Sequence, residues 1–347
     1  ILYAGGTNSG VWRTTNALLP QPTWEPLTDD MPGQSIGALV FDLADATRQT
    51  IWAGIGLYSA YGRVGSARAG LLQTTDGGDS WTVVDGGGVL AGMNVSGIVA
   101  RGNNVVVSVN TADAFTMANI GIFRSTDGGA NFTRMSVGDG TGATGLPEGV
   151  SYDLANDPIN TNTMYTSIAF NADPARNGVY KSTNGGATWT KVSNAAIDAL
   201  IGSGTSNLEI AVGRSNNVYV AVVNTGVLAG IFRSGDGGAT WTQMDTPVTN
   251  EGGTNVGLNP GGGKGPAPGS PPEQIAGGQG AIHFSIVADP SNPNLVYVGG
   301  DRQPLEFQNP TSIGANDYSG RLFRGDASQA AGNQWYHLTH SNALGIA

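Results

Sequence analysis

The stretch Ser125 to Met135, STDGGANFTRM, looks at first like a calcium loop or a phosphate cradle, but it is not unique in the chain. Close copies begin at Thr74 (TTDGGDSWTVV), Ser182 (STNGGATWTKV) and Ser234 (SGDGGATWTQM). In each, a hydroxyl residue stands two positions before an Asp or Asn. A Gly-Gly pair follows, and an aromatic closes the run: Trp81, Phe132, Trp189 and Trp241. These aromatics are 51, 57 and 52 residues apart, a period that marks a repeat architecture. A feature copied four times belongs to the fold of the unit before it belongs to an active centre.

Working outward from each copy gives the rest of the unit. A short apolar run precedes it: GLLQT from Gly70, GIFRS from Gly121, GVYKS from Gly178 and GIFRS from Gly230. Before that stand TIWAGI, NVVVSVN, TMYTSI and NVYVAVVN, from Thr50, Asn104, Thr163 and Asn217. Earlier still come IGALVFD, VSGIVAR, VSYDLAND and LEIAVGR, from Ile36, Val95, Val150 and Leu208. The fourth run starts at the aromatic itself. Short β-branched runs bounded by Gly, Asn, Asp and Pro are strands and turns, so each unit is predicted to be a four-stranded antiparallel meander. Two eroded units complete the series. Residues 1–27 carry ILYAGG, GVWRTTN and TWEPL, with Asn16 at the Asp position and an insertion before Trp24. Residues 282–338 carry IHFSIVADP, NLVYVGG, GRLFRGD and QWYHL.

The expected fold class is therefore all-β, a β-propeller of four-stranded antiparallel blades with six units visible in one domain, 1–347. The blades are expected at 1–27 (completed by 341–347), 36–84, 95–135, 150–192, 207–244 and 282–338. A fragment of a larger propeller is the rival reading. Residues 245–281 form a Gly/Pro-rich insertion in which no strand is expected; it is either a plain excursion or an arm over the propeller mouth.

Composition narrows the function classes. The chain has 55 Gly and only 12% charged residues, which suits short strands and tight turns. It has no Cys, so neither a disulfide framework nor a thiolate metal site is available. A net charge of −10 with scattered Lys and Arg argues against nucleic acid as a partner. No apolar run is long enough for a membrane span. The first 20 residues lack the pattern of a signal peptide, and both ends read as cut within a repeat, so any targeting segment is expected outside this sequence.

The pattern S/T-x-D-x-G-x-x-W/F resembles the Asp-box, or bacterial neuraminidase repeat, of β-propellers such as sialidases, family 74 xyloglucanases and sortilin-like domains. The resemblance covers nearly the whole chain. It implies a secreted, periplasmic or cell-surface protein and points to glycan or protein ligands. The box residues Thr74, Asp76, Gly78 and Trp81, Ser125, Asp127, Gly129 and Phe132, Ser182, Asn184, Gly186 and Trp189, and Ser234, Asp236, Gly238 and Trp241 are read as structural. The carboxylates and the carboxamide accept from backbone N–H groups as Asx turns do, the glycines tolerate positive φ, and the aromatics pack between sheets. Calcium would need more acidic oxygens than a DGG turn offers. No metal and no cofactor are expected.

If successive strands alternate in direction, the boxes share one end of the blades with the first-to-second turns, such as NDPINTN and ADPSNPN, whose Asp residues are expected to be structural. The opposite end then carries the long, unlike loops where ligands are met. Its candidate binding residues are Asp301, Arg302, Glu306, His283, Glu148, Asp113, Tyr58, Tyr61 and Arg63. Further acids (Asp173, Asp198, Glu251, Glu273, Asp317), Arg68, Arg176 and the aromatics Phe115, Phe170 and Tyr318 lie on the same loops. Asp301-Arg302 leaves a strand directly toward the mouth, and His283 is expected to open the first strand of unit six. Glycoside hydrolysis would need two carboxyls about 5 to 9.5 Å apart, and no such pair is fixed by sequence. No Arg-Ile-Pro motif of the sialidases occurs, and only one of the two propellers of family 74 is visible, so neither catalytic set carries over. Recognition of glycan or protein leads; a diverged glycoside hydrolase and a surface or self-assembly module are the alternatives.

Overall fold

The computed structural model describes residues 1–57, 67–137, 144–251, 254–258, 280–301 and 320–339. Within them lie six antiparallel sheets of three or four strands in which consecutive strands are neighbours, the arrangement of blades in a β-propeller, and one two-stranded hairpin. Blade one has three described strands, Leu2–Gly6, Gly10–Thr14 and Glu25–Pro26. Blade two comprises Ile36–Phe41, Ile51–Ile55, Leu71–Thr74 and Thr82–Val84; blade three, Met93–Arg101, Asn104–Ala112, Gly121–Ser125 and Thr133–Arg134. Blade four comprises Leu154–Asn156, Met164–Ile168, Gly178–Ser182 and Thr190–Lys191; blade five, Thr205–Val212, Val218–Asn224, Val227–Ser234 and Thr242–Gln243. Blade six comprises Ser285–Ala288, Leu295–Asp301, Gly320–Asp326 and Trp335–His337. The described helices are single turns.

The chain divides into two compact units, Ile1–Asn156 with Asn160–Lys191 (blades one to four) and Asp157–Ile159 with Val192–Ala347 (blades five and six). In the first unit the second strand of blade three explains the packing. Its side chains alternate between two faces, and both are covered. Val105, Val107 and Val109 join Trp52 and Leu71 of blade two in one cluster, while Val106 joins Met164 and Trp189 of blade four in another. A strand buried on both sides reads as an unbroken Val run, as NVVVSVN does. In the second unit Tyr219, Ala221 and Val223 of blade five pack against Phe284, Val296 and Phe323 of blade six. The first strands of neighbouring blades touch, Ile36–Phe41 with Met93–Arg101 in the first unit and Thr205–Val212 with Ser285–Ala288 in the second, which makes them the innermost strands.

Three details differ from the sequence reading. The insertion does contain strands: Val248–Glu251 pairs with Thr254–Gly257 as a hairpin, its Val and Thr residues outweighing the surrounding Gly and Asn. His283 does not open a strand. It ends a helical turn, Gly280–His283, and the strand starts two residues later at Ser285. The first strand of blade four begins at Leu154 rather than Val150, which makes only an isolated bridge to Ala169. Three residues, Ser151 to Asp153, oppose two, Ser167 and Ile168, and hydroxyls replace the ladder: Ser151 Oγ lies 2.7 Å from Thr166 Oγ1, and Tyr152 N donates to Ser167 Oγ. The expected completion of blade one by 341–347 lies outside the described residues.

Candidate functional site

The repeated turns fix which end of each blade is which. In blade three, Ser125 Oγ accepts from Gly129 N (2.9 Å) and Asp127 N (3.2 Å) and donates to Asp127 Oδ1 (2.7 Å). Asp127 then accepts from the backbone and side chain of Asn131 at 2.9 and 2.8 Å. Blades two, four and five repeat the set through Thr74–Asp76–Ser80, Ser182–Asn184–Thr188 and Ser234–Asp236–Thr240. Blade one keeps its core, Thr14–Asn16–Thr23, although three extra residues intervene. Gly128 and Gly129 sit at φ +71° and +89°, where a side chain would be strained, and a Cβ on Gly129 would lie 2.6 Å from Val84 of blade two.

The first glycine of each pair ties the turn to its own blade. Gly77 N donates to Gln49 O, Gly128 to Asn103 O, Gly185 to Asn162 O and Gly237 to Asn216 O, at 2.8 to 3.0 Å. The acceptors lie in the first-to-second turns, so both kinds of turn occupy one end. The carbonyl of the same glycine binds the preceding blade: Gly77 O accepts from Tyr3 Oη and Arg13, and Gly185 O from Arg124 and Asn104. Of the closing aromatics, Phe132 and Trp189 are buried and Trp81 and Trp241 half-buried, each indole N–H satisfied by a carbonyl.

Titration carries the same message. Hydrogen bonds from Asn131 and Ser125 hold Asp127 at about 2, and those from Thr240 and Ser234 hold Asp236 at about 2. Asp76 is lowered by Ser80 and Thr74, and Asp289, in the ADPSNPN turn, is held at about 2 by Ser291 and Asn292. A carboxylate engaged by several donors stays ionised and is a weak base. These turns are structural corners.

The opposite end is built from unlike contacts. In the first unit Arg68 Nη1 meets Asp113 Oδ1 and Gly92 O, both at 3.2 Å, while Gly92 bonds Arg68 O and Asp113 N through its backbone at 2.8 Å. Three loops are thereby held together, leaving the Asp113 side chain 69% exposed. Nearby in sequence, Phe115 is 55% exposed between Asp113 and the turn Met117–Asn119. Arg134, on the outermost strand of blade three, donates to Met117 O, to Ile120 O (3.2 Å) and to Glu148 Oε1 (3.1 Å). Glu148 O accepts from Asn171 Nδ2 at 2.7 Å. Phe170 adopts φ +61°, unusual for a bulky residue, where the second strand of blade four turns into its loop.

Asp113 and Glu148 thus lie at the loop end, each in an ion pair. His283 is exposed at the start of blade six. Asp301 closes the second strand of blade six. Its side chain, like Tyr58, Tyr61, Arg63, Arg302 and Glu306, lies outside the described residues. The sequence reading missed two carboxylates, Glu209 on the innermost strand of blade five and Asp153 immediately before the innermost strand of blade four. Counting back from the last paired residue, Asn156 in blade four and Val212 in blade five, Asp153 and Glu209 occupy the same position, three residues earlier. Both are partly exposed. The signal was in the sequence, since VSYDLAND and LEIAVGR carry these acids, but the equivalence emerges only when strands are aligned by pairing. Beside this position the innermost strands bulge, at Ile36/Ala38, Val95/Gly97 and Thr205/Asn207. Bulges at strand ends re-aim side chains. Among the described residues no group of three or more metal-binding side chains converges, and no helix is long and apolar enough to cross a membrane.

No family model matches this chain. A xyloglucanase of Paenibacillus sp. is 30% identical to it over 176 residues, 51% of this chain and 15% of the relative. Among solved structures, a GH74 enzyme of Niastella koreensis aligns with a TM-score of 0.57 at 19% identity, covering 96% of this chain and 43% of that one. The GH74 xyloglucanase of Xanthomonas campestris aligns with a TM-score of 0.55 at 18% identity, covering 97% and 43%. At these identities the likeness to the solved structures is one of fold, and this chain spans less than half the length of each of these three proteins.

Proposed function

We propose that this chain is a glycan-recognition propeller that meets its ligand at the loop end of its blades and acts outside the cell, as a secreted, periplasmic or surface protein. The observation that carries the reading is segregation. The corner end spends its polar groups on internal bonds, whereas the loop end of the first unit holds an exposed aromatic, Phe115, and a largely exposed carboxylate, Asp113, on backbone tied down by Arg68 and Gly92. An aromatic face offers a sugar ring an apolar surface, and a fixed carboxylate accepts from its hydroxyls. The sequence likeness to a xyloglucanase makes xyloglucan the first ligand to try. Hydrolysis is the second reading, favoured by that same likeness, and requires two carboxyls across the scissile bond.

The test is a glycan array that includes xyloglucan oligosaccharides, run beside a reducing-sugar assay on the polysaccharide. The wild-type protein is expected to bind. Phe115→Ala and Asp113→Ala are expected to bind about tenfold or more weakly, the loss of one stacking or charge-assisted contact. Their melting should change little, because the Phe115 and Asp113 side chains are both largely exposed and Arg68 keeps its bond to Gly92 O. Failure to bind any glycan overturns the reading; release of reducing ends moves it to hydrolysis.

A further inference from the structure

In the second unit, the innermost strand of blade five holds a carboxylate in a setting that differs from the corner turns. Glu209 lies on the innermost strand, opposite Ala221, just after the bulge between Thr205 and Asn207. Asn207 is 6% exposed, and its carboxamide is engaged at both ends: Oδ1 accepts from Leu208 N at 2.8 Å, while Nδ2 donates to Glu209 Oε1 at 2.9 Å and reaches Gly280 O at 3.4 Å. A carboxylate steered by a buried amide whose other atom is committed has little freedom to turn.

Gly280 starts the helical turn that ends at His283. That turn is pinned twice. Gly280 N donates to Gly226 O at 3.0 Å, and a Cβ there would lie 2.4 Å from the same oxygen, so only glycine brings the turn this close to blade five. At its other end Phe284 is 4% exposed in the cluster shared by blades five and six. Between these anchors Ile282 is 40% exposed and His283 is exposed. The single donor Asn207 Nδ2 bonds both the carboxylate and Gly280 O, so Glu209 lies beside the start of the turn that carries Ile282 and His283.

We propose that Glu209, positioned by Asn207, together with Ile282 and His283, forms a subsite for a neutral polyhydroxylated ligand. A carboxylate with fixed oxygens accepts from adjacent hydroxyls, an imidazole donates to or accepts from a third, and an isoleucine covers the C–H face of a sugar ring. The subsite rests on the glycan reading above and assigns it a set of residues on blades five and six. Asn207 is a positioning residue; Glu209 and His283 are contact residues.

Isothermal titration with xyloglucan oligosaccharides tests it, on the full chain and on Glu209→Gln and His283→Ala. Glu209→Gln keeps the shape and one acceptor but removes the charge, and it is expected to weaken binding about tenfold or more. His283→Ala, at an exposed position, is expected to weaken binding severalfold with the far-ultraviolet spectrum and melting unchanged. If the wild-type protein binds and both variants match it, the subsite is overturned while the glycan reading stands. If the wild-type protein binds no oligosaccharide, the glycan reading falls and the subsite with it. Should Glu209→Gln fold poorly, His283→Ala alone decides.

Discussion

Blade three is closed at one end by Ser125, Asp127 and Asn131, and at the other by Arg134 reaching Met117, Ile120 and Glu148. The two ends differ in the range of their bonds. Within the corner every partner lies within four residues of another, so a short stretch of sequence encodes the whole device and duplication copies it intact. At the loop end Arg134 reaches 14 to 17 residues along the chain, Asn171 reaches Glu148 across 23 and Arg68 reaches Gly92 across 24. None of these side-chain contacts recurs in another described blade, whereas the corner ties from Gly77, Gly128, Gly185 and Gly237 to the first-to-second turns recur in four. Bonds that recur from blade to blade give a scaffold, and bonds peculiar to one blade give a surface free to diverge.

The most forceful way to break this comparison is to remove a closing aromatic. Trp189 is 4% exposed, packs in the cluster with Val106, Met164 and Tyr180, and satisfies its indole N–H on Gly186 O. Trp189→Ala is expected to destabilise the first unit by about 3 to 5 kcal/mol, the usual cost of truncating a buried aromatic. Denaturant unfolding measures it, and a loss below about 1 kcal/mol would mean that the corners are not what holds the blades. Phe115→Ala at the loop end is the control that should leave the same curve in place.

A smaller effect sharpens the comparison within the corner itself. Ser125 is 1% exposed, and its hydroxyl accepts from two backbone N–H groups while donating to Asp127. Ser125→Ala leaves Gly129 N without that acceptor inside the structure, at an expected cost of about 1 to 3 kcal/mol. Ser125→Thr, which reproduces the residue found at Thr74, should recover most of it. If Thr restores nothing, the pivot depends on its neighbours and is not interchangeable between blades.

How much of this the sequence discloses follows the same division. The corners, the four strands of each blade and the polarity of the Val-rich second strands are local patterns, and STDGGANFTRM with its copies announces them. Even blade one is legible through its insertion, because Asn16 finds Thr23 with the bonds that Asn184 makes to Thr188. Arg134 is illegible for the opposite reason. It stands on an outermost strand in a run read as structural, and its role depends on three acceptors that only folding brings near. Asp153 and Glu209 were hidden because their equivalence is a matter of pairing register, which bulges shift by one residue. The hairpin Val248–Gly257 was hidden by composition, since Gly and Asn around it mask four-residue strands.

The smallest expected effect asks whether the corner needs a charge. Blade four already has Asn184 where blade five has Asp236, and the two corners differ in one proton. Thr240 Oγ1 donates to Asp236 Oδ2 at 2.6 Å, whereas Thr188 Oγ1 accepts from Asn184 Nδ2 at 2.8 Å. A hydroxyl can reverse, so Asp236→Asn should convert one corner into the other and leave melting at pH 7 nearly unchanged. The acid limb is where the variant should differ. Asp236 is held at about 2 by Thr240 and Ser234, below the value near 3.9 of an unfolded chain. Its contribution is therefore present above about pH 4 and lost as pH falls through about 2. The effect is modest, because the carboxylate faces solvent. Asp236→Asn lacks that titration, so its melting should fall less than that of the wild-type protein between pH 5 and pH 2. A variant that melts far below the wild-type protein at pH 7 would show instead that the corner of blade five depends on the carboxylate's charge, and that the interchangeability of the corners stops short of their electrostatics.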